Sequence, residues 1–363
     1  MRKNRLLVSV ALAAFSLLLA ATEIHANGAV AWTGLVSSEK EKSMEGVVVG
    51  AKKDGSTLTV NVVSDAKGRI AFPSEKLEPG HYALKIRAAG FDLDGPKTVD
   101  AVASKTATAN LRVKAADNPS AQLTDAEWLV SIPGTEQQKN FLLSCNGCHT
   151  IERIVKANKS AEEWVQVFRR MSTYAPGSSP LRPQVTVGSV QRDRTRGVDP
   201  MEIGAWLASV NTSYNSKQSF PLKTLPRPKG KATHTIITEY DLPRKLAMPH
   251  DVVMDSEGLV WYSDFGEQFI GRLNPKTGEV TEFPIPVLKK GFPLGTLDLQ
   301  LDKEQNVWVS LMYQGGIAKF DRKTEKFQVY PVPKEWQGDH TQQSMVSPAN
   351  SHVDGKVWVG ADD

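Results

Sequence analysis

The C-terminal part of the chain repeats its own sequence with a period of nearly fifty residues. The segments Gly258–Pro286 and Asn306–Pro333 are similar to each other, and Trp261, Trp308 and Trp358 follow one another at intervals of 47 and 50 residues. A period of ~40 to 50 residues is typical of a β-propeller blade, in which four strands form one antiparallel sheet. The repeat therefore predicts that this part of the chain folds into propeller blades.

The predicted propeller covers residues 232–363 and contains about two complete blades, with an isolated edge strand at Thr238–Pro243 before them. Closed propellers have ~4 to 8 blades. We therefore expect a truncated sequence or, as an alternative, blades supplied from elsewhere. The blades resemble the virginiamycin B lyase (streptogramin lyase) family, in which an aromatic strand, an IGRI-type strand and an E-F-P-x-P edge follow one another. Here these pieces are Trp261, Ile270–Leu273 and Glu282–Pro286.

The resemblance implies an acid/base histidine and metal-binding acidic residues along the central channel, mostly in later blades that this sequence lacks. Lyase activity is therefore not carried over to this chain. His250 and Asp251, at the start of an inner strand, could face the channel, as could Asp264 and Glu267. The simpler interpretation is that they are polar groups of turns and inner strands. The carboxylates of the hairpin turns lack the EF-hand spacing of a calcium site.

Residues 32–115 show the short alternating pattern of β-strands, separated by turn signals. The segments Gly46–Val49, Asp65–Pro73 and Leu77–Phe91, followed by a strand near Leu111, resemble the carboxypeptidase regulatory-like family. That resemblance implies a transthyretin-like β-sandwich of structural or adhesive character, without chemistry of its own.

Residues 116–214 change to helical periodicity. Capping signals at Thr135, Ser160 and Asp199 predict the starts of three helices. The second helix carries an apolar stripe with the spacing of one helix face, formed by Trp164, Val167, Phe168 and Met171. A stretch rich in Pro and Lys, 215–231, predicts a linker to the propeller.

The first residues are basic at Arg2, Lys3 and Arg5, and an apolar run follows from Leu6 to about Ala21. This pattern predicts a secretory signal over residues 1–26, with an uncleaved anchor as the alternative. No later segment is long and apolar enough to span a membrane. Removing residues 1–26 takes away these three basic residues and Glu23, so the formal net charge falls from +4 to +2. Nothing in this balance favours a nucleic-acid partner, which normally requires a basic patch.

Cys145, Cys148 and His149 form a C-x-x-C-H motif that contains both cysteines of the chain. This motif is the attachment signature of c-type haem, because two thiols at that spacing reach the two vinyl groups and the next residue offers an imidazole to the iron. A structural zinc site would need four ligands, and residues 116–214 offer no third cysteine and no second histidine. A thioredoxin-like redox motif would require a βαβ setting, and a plain disulfide has no evident purpose.

The flanking sequence resembles small cytochrome c domains: FLLSCNGCHTIERIV, SAEEWVQVFRRM and MEIGAWLASVN look like the haem-binding, middle and C-terminal helices of that family. The resemblance implies that Cys145 and Cys148 hold one haem c covalently and that His149 is the proximal ligand of its iron. It also implies an all-α fold for this domain. The C-x-x-C-H motif is the specific part of the likeness.

The sixth iron ligand has to be argued separately. The haem domain has two methionines, Met171 and Met201, and a methionine ligand raises the haem potential. Met171 is the preferred candidate, with Met201 and an open or non-methionine position as alternatives. The competing interpretation of Met171 is a core methionine packed beside the haem, since it follows His149 more closely than a distal methionine of that family usually does.

Together these patterns predict a multidomain exported protein, periplasmic or secreted, with a β-sandwich, a haem domain and a partial propeller. The predicted function is that of a c-type cytochrome, which passes single electrons to or from a redox partner protein while sandwich and propeller serve as docking or substrate domains. Two alternatives remain: a propeller lyase with an accessory haem domain, and a non-catalytic binding module. The sequence does not identify a ligand for the propeller.

Overall fold

The computed structural model describes residues 29–188, 195, 197–212, 217–337, 342–345 and 359–362. Most of its regular structure is β-sheet, and the five α-helices among these residues lie in one stretch of the chain. The predicted signal segment and Trp358, which marks the third repeat, lie outside the described residues. In the part of the chain that is described, no helix is both long enough and apolar enough to cross a membrane.

Ten strands between residues 30 and 115 form two β-sheets around one apolar core. They are β1 (Val30–Ser38), β2 (Lys42–Ser43), β3 (Val48–Lys53), β4 (Leu58–Val63), β5 (Arg69–Pro73), β6 (Gly80–Arg87), β7 (Phe91–Leu93), β8 (Thr98–Ala101), β9 (Ala107–Thr108) and β10 (Leu111–Ala115). One sheet has the order β2-β1-β10-β7, with β5 and β9 also paired to β1, and the other contains β4-β3-β6-β8. Trp32 stacks on Phe72 at 4.5 Å between ring centroids, and both are fully buried. Two sheets over one core agree with the alternating pattern.

The second sheet has a further strand, β11 (Ile237–Tyr240), which pairs antiparallel with β4. The prediction that Thr238–Pro243 forms a propeller edge is therefore wrong. Alternation defines a strand but not its partner, and an edge strand such as β4 offers unpaired N–H and C=O groups to any nearby extended segment. The Tyr240 hydroxyl donates to the Pro275 carbonyl at 2.9 Å, so β11 also fastens the sandwich to the first blade.

The helices follow the sandwich. They are α1 (Asp125–Ser131), α2 (Glu136–Leu143), α3 (Ile151–Val155), α4 (Ala161–Met171) and α5 (Pro200–Val210). The predicted caps at Thr135, Ser160 and Asp199 are confirmed, each side chain accepting backbone N–H groups of the first turn. Helix α1 has the same capping box, formed by Thr124 and Glu127. Sequence analysis missed this helix, although the T-x-x-E signature was present.

One core joins these helices. Its largest fully buried members are Trp128 of α1, Leu142 of α2 and Ile151 of α3, and the stripe of α4 packs on the same core. Phe141 and Phe168 meet edge to face at 5.3 Å between centroids, which ties α2 to α4. The apolar faces predicted from periodicity thus pack together and set the position of the turn between α2 and α3.

The segment predicted as a linker, 215–231, is described from residue 217 onwards and contacts its neighbours at several points, although most of its side chains are exposed. Phe220 is buried in the helical core. The Leu225 N–H donates to Glu127 at 3.1 Å. High Pro and Lys content lowers the tendency to form regular structure but leaves the few apolar side chains available for burial. The segment therefore contacts the helices through Phe220 and Leu225, and the sandwich through Arg227 and Gly230.

Two four-stranded antiparallel meanders follow, in the strand order of propeller blades. The first contains β12 (Pro249–Met254), β13 (Val260–Asp264), β14 (Phe269–Leu273) and β15 (Val280–Pro284). The second contains β16 (Thr296–Leu301), β17 (Val307–Leu311), β18 (Gly316–Asp321) and β19 (Lys326–Pro331). A two-stranded pair comes last, β20 (Gln342–Met345) with β21 (Val359–Asp362). Short 3₁₀ helices lie at Pro119–Gln122, Gly230–His234, Met312–Gln314 and Lys334–Trp336.

An aspartate–tryptophan hydrogen bond is repeated in the two blades. The Trp261 indole N–H donates to Asp255 at 2.8 Å, and the Trp308 indole N–H donates to Asp302 at 3.0 Å. Asp255 also accepts the backbone N–H groups of Glu257 and Leu259, and Asp302 accepts that of Asn306. The six-residue spacing places the turn carboxylate beside the tryptophan of the next strand in both blades.

We predict a pH-dependent loss of stability when this bond is altered by Asp302→Asn. Burial raises the pKa of Asp302, but hydrogen bonds from Trp308 and Asn306 and the nearby Lys319 outweigh burial and lower it overall. A carboxyl whose folded-state pKa is lowered stabilises the fold above the unfolded-state pKa of ~4 and loses that effect as the pH falls through the folded-state value. The variant should lose about 1 kcal/mol at neutral pH and less in acid.

The measurement is the midpoint of urea unfolding, monitored by tryptophan fluorescence at pH ~7 and at pH ~3. Glu304→Gln, an exposed carboxylate of the same turn, is the control. An Asp302→Asn deficit that is the same at both pH values would contradict the prediction.

Candidate functional site

The residues of the C-x-x-C-H motif line one cavity together with Met171. The cavity has a volume of about 240 Å³ and lies between the α2–α3 turn, the end of α4 and the loop after it. Its lining residues are Ser144, Cys145, Cys148, His149, Arg153, Arg170, Met171, Tyr174, Ser178, Ser179, Pro180 and Pro183. We call it the CxxCH pocket. The structure thus brings together Cys145, Cys148, His149 and Met171, four residues that were singled out in the sequence for one chemistry.

Tight turns directly after α2 place both cysteines at this pocket. The Cys145 N–H donates to the Leu142 carbonyl at 3.0 Å, and the Cys148 N–H donates to the Cys145 carbonyl at 3.2 Å. Both side chains are half-buried. A Cβ atom added at Gly147 would have no neighbouring atom within 4 Å. The two intervening residues of the motif therefore face outward, while the sulfur-bearing residues line the cavity.

The imidazole of His149 is half-buried and held by the backbone. Its Nδ1 lies 3.1 Å from the Thr150 carbonyl oxygen. Since a carbonyl can only accept, Nδ1 carries the proton, which makes Nε2 the nitrogen suited to an iron or other metal. Burial lowers the pKa of His149, and the Thr150 carbonyl only partly opposes this. The neutral form is favoured, and it is the neutral imidazole that binds metals.

Met171 is the last residue of α4 and stands at the open end of its apolar stripe. Trp164, Val167 and Phe168 of the same stripe are buried in the helical core, while Met171 is half-buried and reaches the pocket. Met201, the alternative ligand, is 45% exposed on α5 and is not part of the lining. The geometry therefore favours Met171 over Met201 as the thioether that could contact a group bound in the CxxCH pocket.

The opposite wall of the pocket was not predicted. It comes from residues 174–184, which we call the wall segment, and its pocket members are Tyr174, Ser178, Ser179, Pro180 and Pro183. Its Pro, Ser and Gly content indicated only a loop. Arg153 and Arg170 add two exposed guanidinium groups at the rim. Their charge alone could not identify these two arginines as pocket residues, because arginines are common on exposed helix faces.

A second polar cluster lies in the first blade. Arg244 makes ion pairs with Asp264, Glu267 and Glu282, and Asp264 is fully buried. The Tyr262 hydroxyl donates to Glu282 at 2.6 Å, and burial together with that carboxylate raises the Tyr262 pKa. Asp264 and Glu267, candidate channel residues in the sequence, are therefore engaged in a compensated charge network.

His250 and Asp251 lie apart from that network. His250 Nδ1 is 2.9 Å from an Asp251 carboxylate oxygen, and the ring stacks on Phe265 at 4.7 Å between centroids. The Asp298 N–H donates to the same carboxylate oxygen at 2.8 Å. The imidazole is partly exposed and oriented by a fixed carboxylate. In the described ranges, no group of three or more His, Cys, Asp or Glu side chains is arranged so that it could hold a metal ion.

Comparisons with known proteins give partial matches. No family model and no curated protein matches the chain. Solved structures that match include a streptogramin B lyase, at 21% identity over 30% of this chain and 34% of that one, with a TM-score of 0.26. Virginiamycin B lyase from Staphylococcus aureus matches at 20% identity over 30% of this chain and 38% of its own, with a TM-score of 0.25.

A protein from Lactobacillus plantarum matches over 88% of this chain and 76% of its own, at 11% identity and a TM-score of 0.26. The chain spans about a third of the length of the lyase structures that it matches. At these scores no property of the matched proteins is transferred to this chain, and the site has to be judged from its own residues.

The charge network predicts that Arg244→Met is severely destabilising. Removing the guanidinium leaves the buried carboxylates of Asp264 and Glu282 without a cationic partner, which typically costs about 3 to 5 kcal/mol, whereas Glu267 keeps its ion pair with Arg182. The matched control is Arg272→Met in the same blade, because Glu325, the ion-pair partner of Arg272, is half exposed. That change should cost about 1 kcal/mol or less. Chemical denaturation of both variants is the measurement, and equal losses would contradict a structural role for Asp264 and Glu267.

Proposed function

We propose that this protein is an exported c-type cytochrome that carries one covalent haem in the CxxCH pocket and transfers single electrons. One observation carries the proposal: Cys145, Cys148, His149 and Met171 line the same cavity. Two thiols, an imidazole and a thioether are the donor set of a covalently attached haem with histidine and methionine as axial ligands. Packing of α2 against α4 brings these groups together from separate parts of the chain.

The residues of the pocket fit the group in three respects. Cys145 and Cys148 offer two thiols at the spacing of the vinyl groups, and His149 offers Nε2 from a ring that is held through Nδ1. Met171 offers a polarisable sulfur at the end of a rigid helix. A haem held there would supply an iron that accepts and releases one electron. Arg153 and Arg170 supply positive charge that suits the carboxylates of a haem.

Export is part of the same proposal. Covalent haem attachment takes place outside the cytoplasm, and residues 1–26 have the pattern of a secretory signal. A single-electron carrier needs a redox partner protein, and the sandwich and the blades give this chain two further surfaces for docking. The partner is expected to approach the rim of the CxxCH pocket, since electron transfer requires a short path to the iron.

The first test is expression of the full chain in a bacterial host with cytochrome c assembly machinery. We expect one covalently bound haem per chain in a pyridine haemochrome assay. Cys145→Ala and Cys148→Ala should each reduce covalent attachment sharply, because each removes one thioether bond, and the double variant should abolish it. Wild-type protein that stays without haem under these conditions would overturn the proposal.

The second test concerns the sixth ligand. Met171→Ala should remove the methionine-to-iron charge-transfer band of the oxidised protein and lower its reduction potential, because a weaker or aqueous ligand favours the ferric state. Met201→Ala is the matched control, since Met201 lies outside the pocket lining. A band that survives in Met171→Ala and disappears in Met201→Ala would reverse the assignment.

A second candidate function is acid/base chemistry on the blades at His250, favoured by the Asp251 carboxylate that orients this ring. A histidine whose ring is oriented by a fixed carboxylate is suited to proton transfer. The test is incubation of the full chain with virginiamycin B, followed by chromatography of the products. Turnover that is lost in His250→Ala would support a propeller lyase with an accessory haem; intact antibiotic would leave the cytochrome as the function.

A further inference from the structure

We propose that Gln184 is a positioning residue that couples the blades to the haem environment by fixing the wall of the CxxCH pocket. This inference rests on the proposed function and deepens it, because it names the contact through which the propeller controls the potential of the haem.

The side chain of Gln184 is buried and bonded to two loops of the blades. Its Nε2 donates to the Gly266 carbonyl at 3.1 Å and to the Leu294 carbonyl at 2.9 Å. Its Oε1 accepts the Leu294 N–H at 2.7 Å. Both ends of the amide are therefore used on backbone groups of the first blade and of the connection to the second.

The backbone of Gln184 carries the constraint to the pocket. Ser178 lines the pocket, and its hydroxyl both accepts the Gln184 N–H and donates to the Gln184 carbonyl, each at 3.0 Å. The Ala175 N–H donates to the same carbonyl at 2.9 Å. A shift of Gln184 would therefore move Ser178 and the adjacent pocket residues of the wall segment with it.

Apolar packing and close approach support the same contact. Ala175 is fully buried in a small cluster with Met312 and Tyr313 of the second blade. Gly177 has a φ of +80°, and a Cβ there would lie 2.1 Å from the Phe265 carbonyl oxygen. The wall segment therefore lies directly on the blades, at a distance that no side chain at position 177 would permit.

The wall segment covers one side of the pocket, so its position affects how much solvent can reach the cavity. Solvent exposure is a determinant of haem potential, because water stabilises the more highly charged ferric state. Loss of the Gln184 bonds should open the wall, raise water access and lower the potential. In the protein without haem, the same opening should make Cys145 and Cys148 more accessible to reagents in solution.

The experiment uses full-length Gln184→Met, which keeps the length of the side chain and removes its hydrogen bonds. The matched control is Gln122→Met. Gln122 makes a similar clamp, with its amide on the Gly90 N–H and the Phe91 carbonyl, but it ties the helices to the sandwich. Two readouts are measured: the reduction potential of the haem-loaded protein, and the alkylation rate of the two thiols by iodoacetamide in protein produced without haem attachment.

We expect Gln184→Met to shift the redox equilibrium about tenfold toward the oxidised form, equivalent to ~59 mV for a one-electron couple, and to speed alkylation severalfold. Gln122→Met should leave both readouts at wild-type values, even if the two variants lose equal stability. An unchanged potential and an unchanged alkylation rate in folded Gln184→Met would overturn the inference.

Gly177→Ala tests the contact without touching a hydrogen bond, and it replaces Gln184→Met should that variant fail to fold. Its Cβ should push the wall segment off Phe265 and change both readouts in the same direction. Wild-type protein that never acquires haem would refute the proposed function alone, because the alkylation comparison still decides whether Gln184 holds the wall.

Discussion

Hydrogen bonds from side-chain amides to the backbone of a neighbouring unit link the sandwich, the helices and the blades. Buried N–H and C=O groups that lie outside helices and sheets must find partners, and a glutamine can satisfy a donor and an acceptor at once. Gln184 does this between the wall segment and the blades, and Gln122 does it between the helices and the sandwich. Strand β11 does the same with its backbone on β4. The three units are thus linked by specific polar contacts.

These links help to decide which residues line the CxxCH pocket. The motif itself contributes one side, and the end of α4 contributes Met171, but the facing wall is a loop without regular structure. A loop of this composition would be mobile on its own, since its backbone would exchange freely between water and internal partners. The contacts of this loop with the blades fix its position. The lining of the CxxCH pocket is therefore a property of two units together.

Part of this could be predicted from local sequence. The capping boxes at Thr135 and Ser160 were correct because the bonds they form span only three residues. Helix α1 could have been found in the same way at Thr124. The assignment of an edge strand at Thr238–Pro243 to the propeller was wrong because the strand pairs with β4, far away in the chain. Periodicity carries no information about which of two exposed edges a strand joins.

The sequence by itself determined the chemistry offered by the motif and the repeat period of the blades. The order of residues along the chain fixes the spacing of Cys145, Cys148 and His149. Each Asp–Trp hydrogen bond of the blades joins residues only six positions apart. Only the tertiary structure decided that Met171 rather than Met201 faces the motif, and that the wall segment rests on the blades. Those outcomes depend on how helices pack and which loops meet, and these contacts join residues that no local pattern relates to each other.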